Sequence, residues 1–199
     1  MLSKALLVFC AALFAMGMAL PLRANYLTNT DFGIDLSGWH GDGERVYLKS
    51  DGTEGSETDS DAIPVIKIAL AHGHSHYVSQ EVDFKDKPDG VHVQVEIYVS
   101  ADFQRSKFDT DYTVPQHFPV MWEYDEQTIN SDFWIRLGPN DYYGYDEWSY
   151  TSGEAKPGKW VTVKAVWPAG EKAADHFTVN FCVPPGEGTV YLRNPVADK

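Results

Sequence analysis

Cysteine is almost absent from this chain: Cys10 and Cys182 are its only two in 199 residues. Cys10 lies in MLSKALLVFCAALFAMGMALPLRA, residues 1–24, which has the order of an export signal. Lys4 is followed by an apolar run from Ala5 to Ala19, then by small residues that suit a cut after Ala19 or Ala24. The run is shorter than the ~20 apolar residues that cross a bilayer. The expectation is therefore a cleaved signal peptide over 1–24 and a single secreted, extracytoplasmic domain over 25–199, with no stable membrane insertion after cleavage. No small-residue lipobox precedes Cys10, which argues against lipidation. Cys182 is then alone, so an intramolecular disulfide is excluded in spite of the oxidising destination. A domain of this length buries roughly 70% of its unfolded surface, enough to hold without staples or a metal.

Basic residues are also scarce. Lys and Arg number 16 against 29 Asp and Glu, a net charge of −13. Loss of Lys4 and Arg23 with the signal leaves 14 basic against 29 acidic residues, or −15. This acidic balance repels nucleic acid and anionic lipid and disfavours polyanionic partners, leaving neutral ligands or cations.

A sustained helical period is missing too: after residue 24 no segment keeps one for three turns. Alternation of apolar and polar residues recurs instead, bounded by Gly, Pro, Asn and Asp. Strands are predicted near 45–49, 63–71, 76–84, 91–100, 118–124, 132–138, 159–167, 176–183 and 189–196. Such spacing favours an all-β, two-sheet antiparallel sandwich. No internal repeat is present, and DGTEGSETDSD (51–61) reads as a long solvated surface loop.

Successive residues of a strand point to opposite sides of its sheet. Val91, Val93, Val95, Ile97 and Val99 thus share a dry side, with His92, Gln94, Glu96 and Tyr98 opposite. Phe133, Ile135 and Leu137 oppose Trp134 and Arg136. Phe177, Val179 and Phe181 oppose His176, Thr178 and Asn180. If these three strands lie in one sheet, Gln94, Glu96, Tyr98, Trp134, Arg136 and Asn180 form one outer face of rings and planar hydrogen-bonding groups.

The stretch NDYYGYDEWSY (140–150) has no aliphatic residue, yet carries five rings and three carboxylates. It reads either as a ligand rim, with Tyr143, Tyr145 and Trp148 stacking and Asp141, Asp146 and Glu147 accepting, or as a loop that plugs an open end of the sandwich. In AHGHSH (71–76), His72, His74 and His76 alternate as a Zn or Cu site would require. Gly73 and Ser75 favour a hairpin turn that scatters them. The acidic loop lacks the D-x-D-x-D-G spacing of a calcium loop. Trp39, Trp122, Trp160 and Trp167 sit in apolar patterns and read as packing residues.

NYLTNTDFGIDLSGW (25–39) resembles the opening N-L-x-x-N-G-D-F-E-x-G-L-x-G-W of carbohydrate-binding modules of the galactose-binding-like jelly-roll class, similar to families 4 and 22. Asn25, Leu27, Asn29, Asp31, Phe32, Leu36, Gly38 and Trp39 carry the match. HYVSQEVDF with VHVQVEIYVSADF, and the closing KWVTVKAVWPAG…DHFTVNFCVPPGEGTVYLRNPV, are similar to the strands of that class. The resemblance implies a jelly roll and a non-catalytic domain whose partner is a neutral polysaccharide or glycan. It also implies a structural calcium between the first and last strands. Here Gly33 stands at one carboxylate position and RNPV at the other, with Asn194 the nearest remnant, so no cofactor is required on this reading.

The sequence is also compatible with two other functions. One is a structural or surface-interaction sandwich without a glycan site. The other is a lyase or glycoside hydrolase, for which Glu96 with Glu123 or Asp125, or His92, Gln94, Tyr98 and Arg136, supply the residue types. No G-x-S-x-G elbow is present, and Cys182 has no recognisable catalytic partner.

Overall fold

The computed structural model describes residues 25–72, 76–83, 91–105, 134–139, 147–149, 156–167 and 176–199. The alternating segments form β-strands, and no helix occurs among the described residues. In chain order they are β1 (His40–Gly41), β2 (Glu44–Leu48), β3 (Glu54–Gly55), β4 (Ile63–Ala69), β5 (His76–Asp83), β6 (Val91–Val99) and β7 (Gln104–Arg105). There follow β8 (Trp134–Pro139), β9 (Glu147–Ser149), β10 (Val161–Trp167), β11 (His176–Val183), β12 (Gly186–Glu187) and β13 (Thr189–Asp198). The strand predicted at 118–124 lies outside the described residues. The pairs β1, β3, β7 and β12 and the three-residue β9 are too short to show alternation, and sequence reading missed them.

Two antiparallel sheets carry the fold. One runs β1-β5-β11-β8-β9, the other β10-β6-β13-β4-β2-β3, with β12-β7 as a separate ribbon. Their inner faces meet through Val91, Val93, Val95, Ile97 and Val99 of β6, and Ile66 and Ile68 of β4. From the other sheet come Val78 and Val82 of β5, Ile135 of β8, and Val179 and Phe181 of β11. Each such side chain stabilises by about 1.5–3 kcal/mol when fully buried, so β6 is the largest single contributor among the described residues. Phe32 and Trp39 of the N-terminal segment join this core, their rings edge to face at 5.7 Å.

β13 needs one irregularity to keep its apolar side inward. Leu192 and Ala197 are both buried but lie an odd number of residues apart, which a regular strand cannot place on one face. The register against β6 shifts between Arg193 and Val196, and Asn194 there has φ +50°. The extra residue restores the alternation, and Pro195 sits in the bulge, where its missing N–H costs no ladder bond.

A second, smaller core lies on the outside of the six-stranded sheet. Leu48, Val65, Tyr98 and Tyr191 cluster there with Trp160 against them. The segment after β2 folds over this patch: Tyr191 donates to Glu54 Oε1 at 3.1 Å, and Lys67 pairs with Glu54 at 2.9 Å and Glu44 at 3.2 Å. Burial, with the Glu54 carboxylate second, pushes the Tyr191 phenol up to about 12. The acidic stretch expected to be a solvated surface loop is largely exposed, and through Glu54 it also covers this patch, with β3 inside it. The turn at 71–76 is also not a hairpin, since β4 and β5 belong to different sheets. It carries the chain from one layer to the other.

Candidate functional site

The outer face of the five-stranded sheet is assembled by register. Asn180 of β11 pairs with Ser79 of β5 on one side and Arg136 of β8 on the other, and Arg136 pairs with Trp148 of β9. Ser79 also pairs with His40 of β1. Two residues along lies a second row, in which Cys182 pairs with Tyr77 and with Trp134. Neighbours in a row are about 4.5–5.5 Å apart at Cβ in such pairs. Positions 134 and 136 flank Ile135, which is buried in the core. Asn180 and Cys182 are half-buried, and Tyr77 is 47% exposed. Tyr77 is one of the two large hydrophobic side chains that stand exposed among the described residues.

The expectation of one shared face for all six strand residues is corrected by the topology. β6 lies in the six-stranded sheet, so Gln94, Glu96 and Tyr98 are on the opposite outside of the sandwich from the rows of β8 and β11. Alternation tells which way a residue points relative to the core but not which sheet its strand joins, and both outer faces carry the same pattern. Tyr98 is 9% exposed and packs on Trp160 at 5.5 Å and Tyr191 at 6.1 Å. Glu96 accepts from Arg193 Nε at 2.5 Å and Asn194 Nδ2 at 3.1 Å, and the Arg193 guanidinium lies 3.9 Å from the centre of the Trp160 ring. These are packing and pairing roles. Gln94 is half-buried and pairs across its sheet with Lys164 and Val196. The lyase-type set of His92, Gln94 and Tyr98 with Arg136 is split in the same way, and Glu123 and Asp125 lie outside the described residues.

Of the aromatic stretch 140–150, Tyr143 and Tyr145 lie outside the described residues. Trp148 lies in β9, which extends the sheet at its edge, so part of the expected loop is strand. Sequence reading also missed Tyr77. Its signal was present, since Tyr77, Ser79 and Glu81 alternate with the buried Val78, Gln80 and Val82.

The histidines do not converge. His72 Nε2 meets Glu187 Oε1 at 2.7 Å, while His76 accepts from the Ala71 amide at 3.1 Å and lies 3.3 Å from Asp42. His74 lies outside the described residues. Among the described residues no group of three His, Cys, Asp or Glu is placed to hold a metal ion.

The oxygens of the N-terminal segment, on which the resemblance implies calcium, are engaged by N–H donors instead. Asp31 Oδ1 accepts from the Gly33 amide at 3.2 Å and Asp35 Oδ1 from the Ser37 amide at 2.9 Å. The Ser37 amide, then its hydroxyl, hold the Asp35 carboxyl below its ordinary value. Asn25 Oδ1 accepts from Leu27 and Ala197 amides, and its Nδ2 donates to Pro195 O. The carbonyls of Phe32 and Gly33 both accept from Arg45. A hard cation wants about six or more oxygens, carboxylates among them, and here N–H donors engage Asp31 Oδ1, Asp35 Oδ1, Asn25 Oδ1 and both carbonyls.

No protein-family model matches the chain, and no curated protein matches it. Solved structures do. A family 61 carbohydrate-binding module in complex with β-1,4-galactotriose is 14% identical with a TM-score of 0.53, covering 88% of this chain and 99% of its own. A family 22 xylan-binding domain from Paenibacillus barcinonensis Xyn10C is 10% identical with a TM-score of 0.52, covering 88% of this chain and 94% of its own. A further family 22 xylan-binding domain is 9% identical with a TM-score of 0.51, covering 88% and 95%. The chain therefore has the all-β jelly-roll sandwich fold of these carbohydrate-binding modules.

Proposed function

We propose that the protein is a secreted, non-catalytic carbohydrate-binding domain that receives a neutral glycan on the outside of its five-stranded sheet. The observation that carries this reading is the register placing Tyr77 and Trp134 in one row and Asn180, Arg136 and Trp148 in the next. Indole and phenol rings stack on the apolar face of a pyranose, while Asn and Arg hydrogen-bond its hydroxyls. The net charge of −13 favours a neutral chain over a polyanionic one. The fold shared with modules described with galactotriose and xylan supports the same ligand class. The signal-like residues 1–24 support export.

Affinity gel electrophoresis in neutral polysaccharides such as galactan and xylan tests the proposal. The wild type is expected to be retarded by at least one of them. Trp134→Ala abolishes the retardation while the melting temperature stays within about 2 °C, and Tyr77→Ala weakens it. Unfolding of Trp134→Ala would make Trp134 a core residue and remove it from the site. No retention on a broad glycan array, with or without calcium, would move the protein to the structural class. Release of reducing ends or unsaturated products would make it an enzyme.

A further inference from the structure

We infer that Arg45 is a built-in cation that locks the N-terminal segment onto the sandwich, in the role the resemblance assigns to calcium. Two consecutive carbonyls, of Phe32 and Gly33, turn toward one point. Arg45 fills it, with Nε donating to Phe32 O at 2.5 Å and Nη2 to Gly33 O at 2.6 Å. Converging carbonyl dipoles repel one another unless a positive group lies between them. The guanidinium suits this place because its planar fork fixes two adjacent N–H donors on separate nitrogens, whereas the three donors of a lysine ammonium share one freely rotating nitrogen.

Both partners are held for the purpose. Arg45 is fixed at its Cα by the β2–β4 ladder, opposite Ile66. Its head is fixed by Tyr47, whose hydroxyl accepts from Nη2 at 2.5 Å and whose ring centre lies 4.6 Å from Cζ. On the other side, Phe32 has φ +52° and is 1% exposed. A bulky residue in the left-handed region costs on the order of 1–3 kcal/mol and persists only where its surroundings over-determine it. The packing of Phe32 on Trp39 and the two hydrogen bonds from Arg45 supply that. Gly33, where the resemblance implies a carboxylate, thus presents its carbonyl to a guanidinium that no chelator can remove.

Thermal melting of the full mature chain tests it. The wild-type melting temperature is expected to be the same in calcium chloride and in EDTA. Arg45→Ala should lower it by roughly 5 °C, and Arg45→Lys should recover less than half of that loss. If Arg45→Ala does not fold, Arg45→Lys against wild type still reads the effect, with Trp39 fluorescence reporting release of the segment. A wild-type melting temperature that rises with calcium or falls with EDTA would overturn the inference. So would an Arg45→Ala variant that melts like the wild type.

Discussion

Gly52 shows how far one residue controls the outer layer of this molecule. Its φ is +84°, and a Cβ added there would lie 2.0 Å from the Tyr98 hydroxyl. A side chain would be strained by the backbone and would also push on the buried Tyr98 ring, which packs on Trp160 and Tyr191. Gly52→Ala is expected to destabilise the protein by about 2–3 kcal/mol, read as a lower urea midpoint with an unchanged slope. A fall of less than about 0.5 kcal/mol would mean that the segment swings away freely. Gly41 is constrained in the same manner, since a Cβ there would meet the Tyr77 carbonyl at 2.1 Å, with φ +116°. The close approach of β1 to β5 depends on it.

At the scale of an element, the segment between β2 and β4 is held by its own charges. The Thr53 hydroxyl and amide lower Asp51, the Ser56 amide lowers Asp59, and the hydrogen bond from Lys67 lowers Glu54. Lys67 is raised in turn, chiefly by Glu54. For the carboxylates the folded value lies below the unfolded one. Their contribution is therefore complete above the ordinary values of 3.8 and 4.5 and is lost as pH falls through the depressed ones. For Lys67 the sign is opposite: its contribution is complete below 10.5 and is lost as pH rises beyond. Acidification below about pH 4 is expected to loosen this cover before the main core unfolds. Trp160 fluorescence should change first and the far-ultraviolet β signal later. Coincident transitions would show that the cover and the sandwich melt as one unit.

At the scale of the whole molecule, the sandwich has two outsides with different fates. The six-stranded sheet commits part of its outer face to the cover and to the Glu96–Arg193–Trp160 stack, whereas the five-stranded sheet carries Tyr77 in the open. Gln94→Ala is accordingly expected to leave glycan retention in affinity gels unchanged, while Trp134→Ala on the other face abolishes it. Equal losses from both would place the ligand elsewhere. The reverse pattern would move the site to the face of β6.

Sequence alone was sufficient for the all-β class and the long strands, because period-two patterning is a local property with a direct physical reading. The strand predicted at 176–183 is β11 residue for residue, and the dry side of 91–99 is the centre of the core. It also established that Asn180 and Trp134 alternate with core residues. Sheet membership could not be read, because β6 and β11 carry the same alternation and only long-range pairing separates them. Nor could the burial of Tyr98 under residues from the acidic stretch, since an acid-rich segment looks solvated until its carboxylates meet Lys67 and Tyr191. Arg45 had no sequence signal at all, because its partners are backbone carbonyls, which every residue has. The chain thus wrote its faces locally, and tertiary pairing decided which strands share an outer face and which outer face carries the cover.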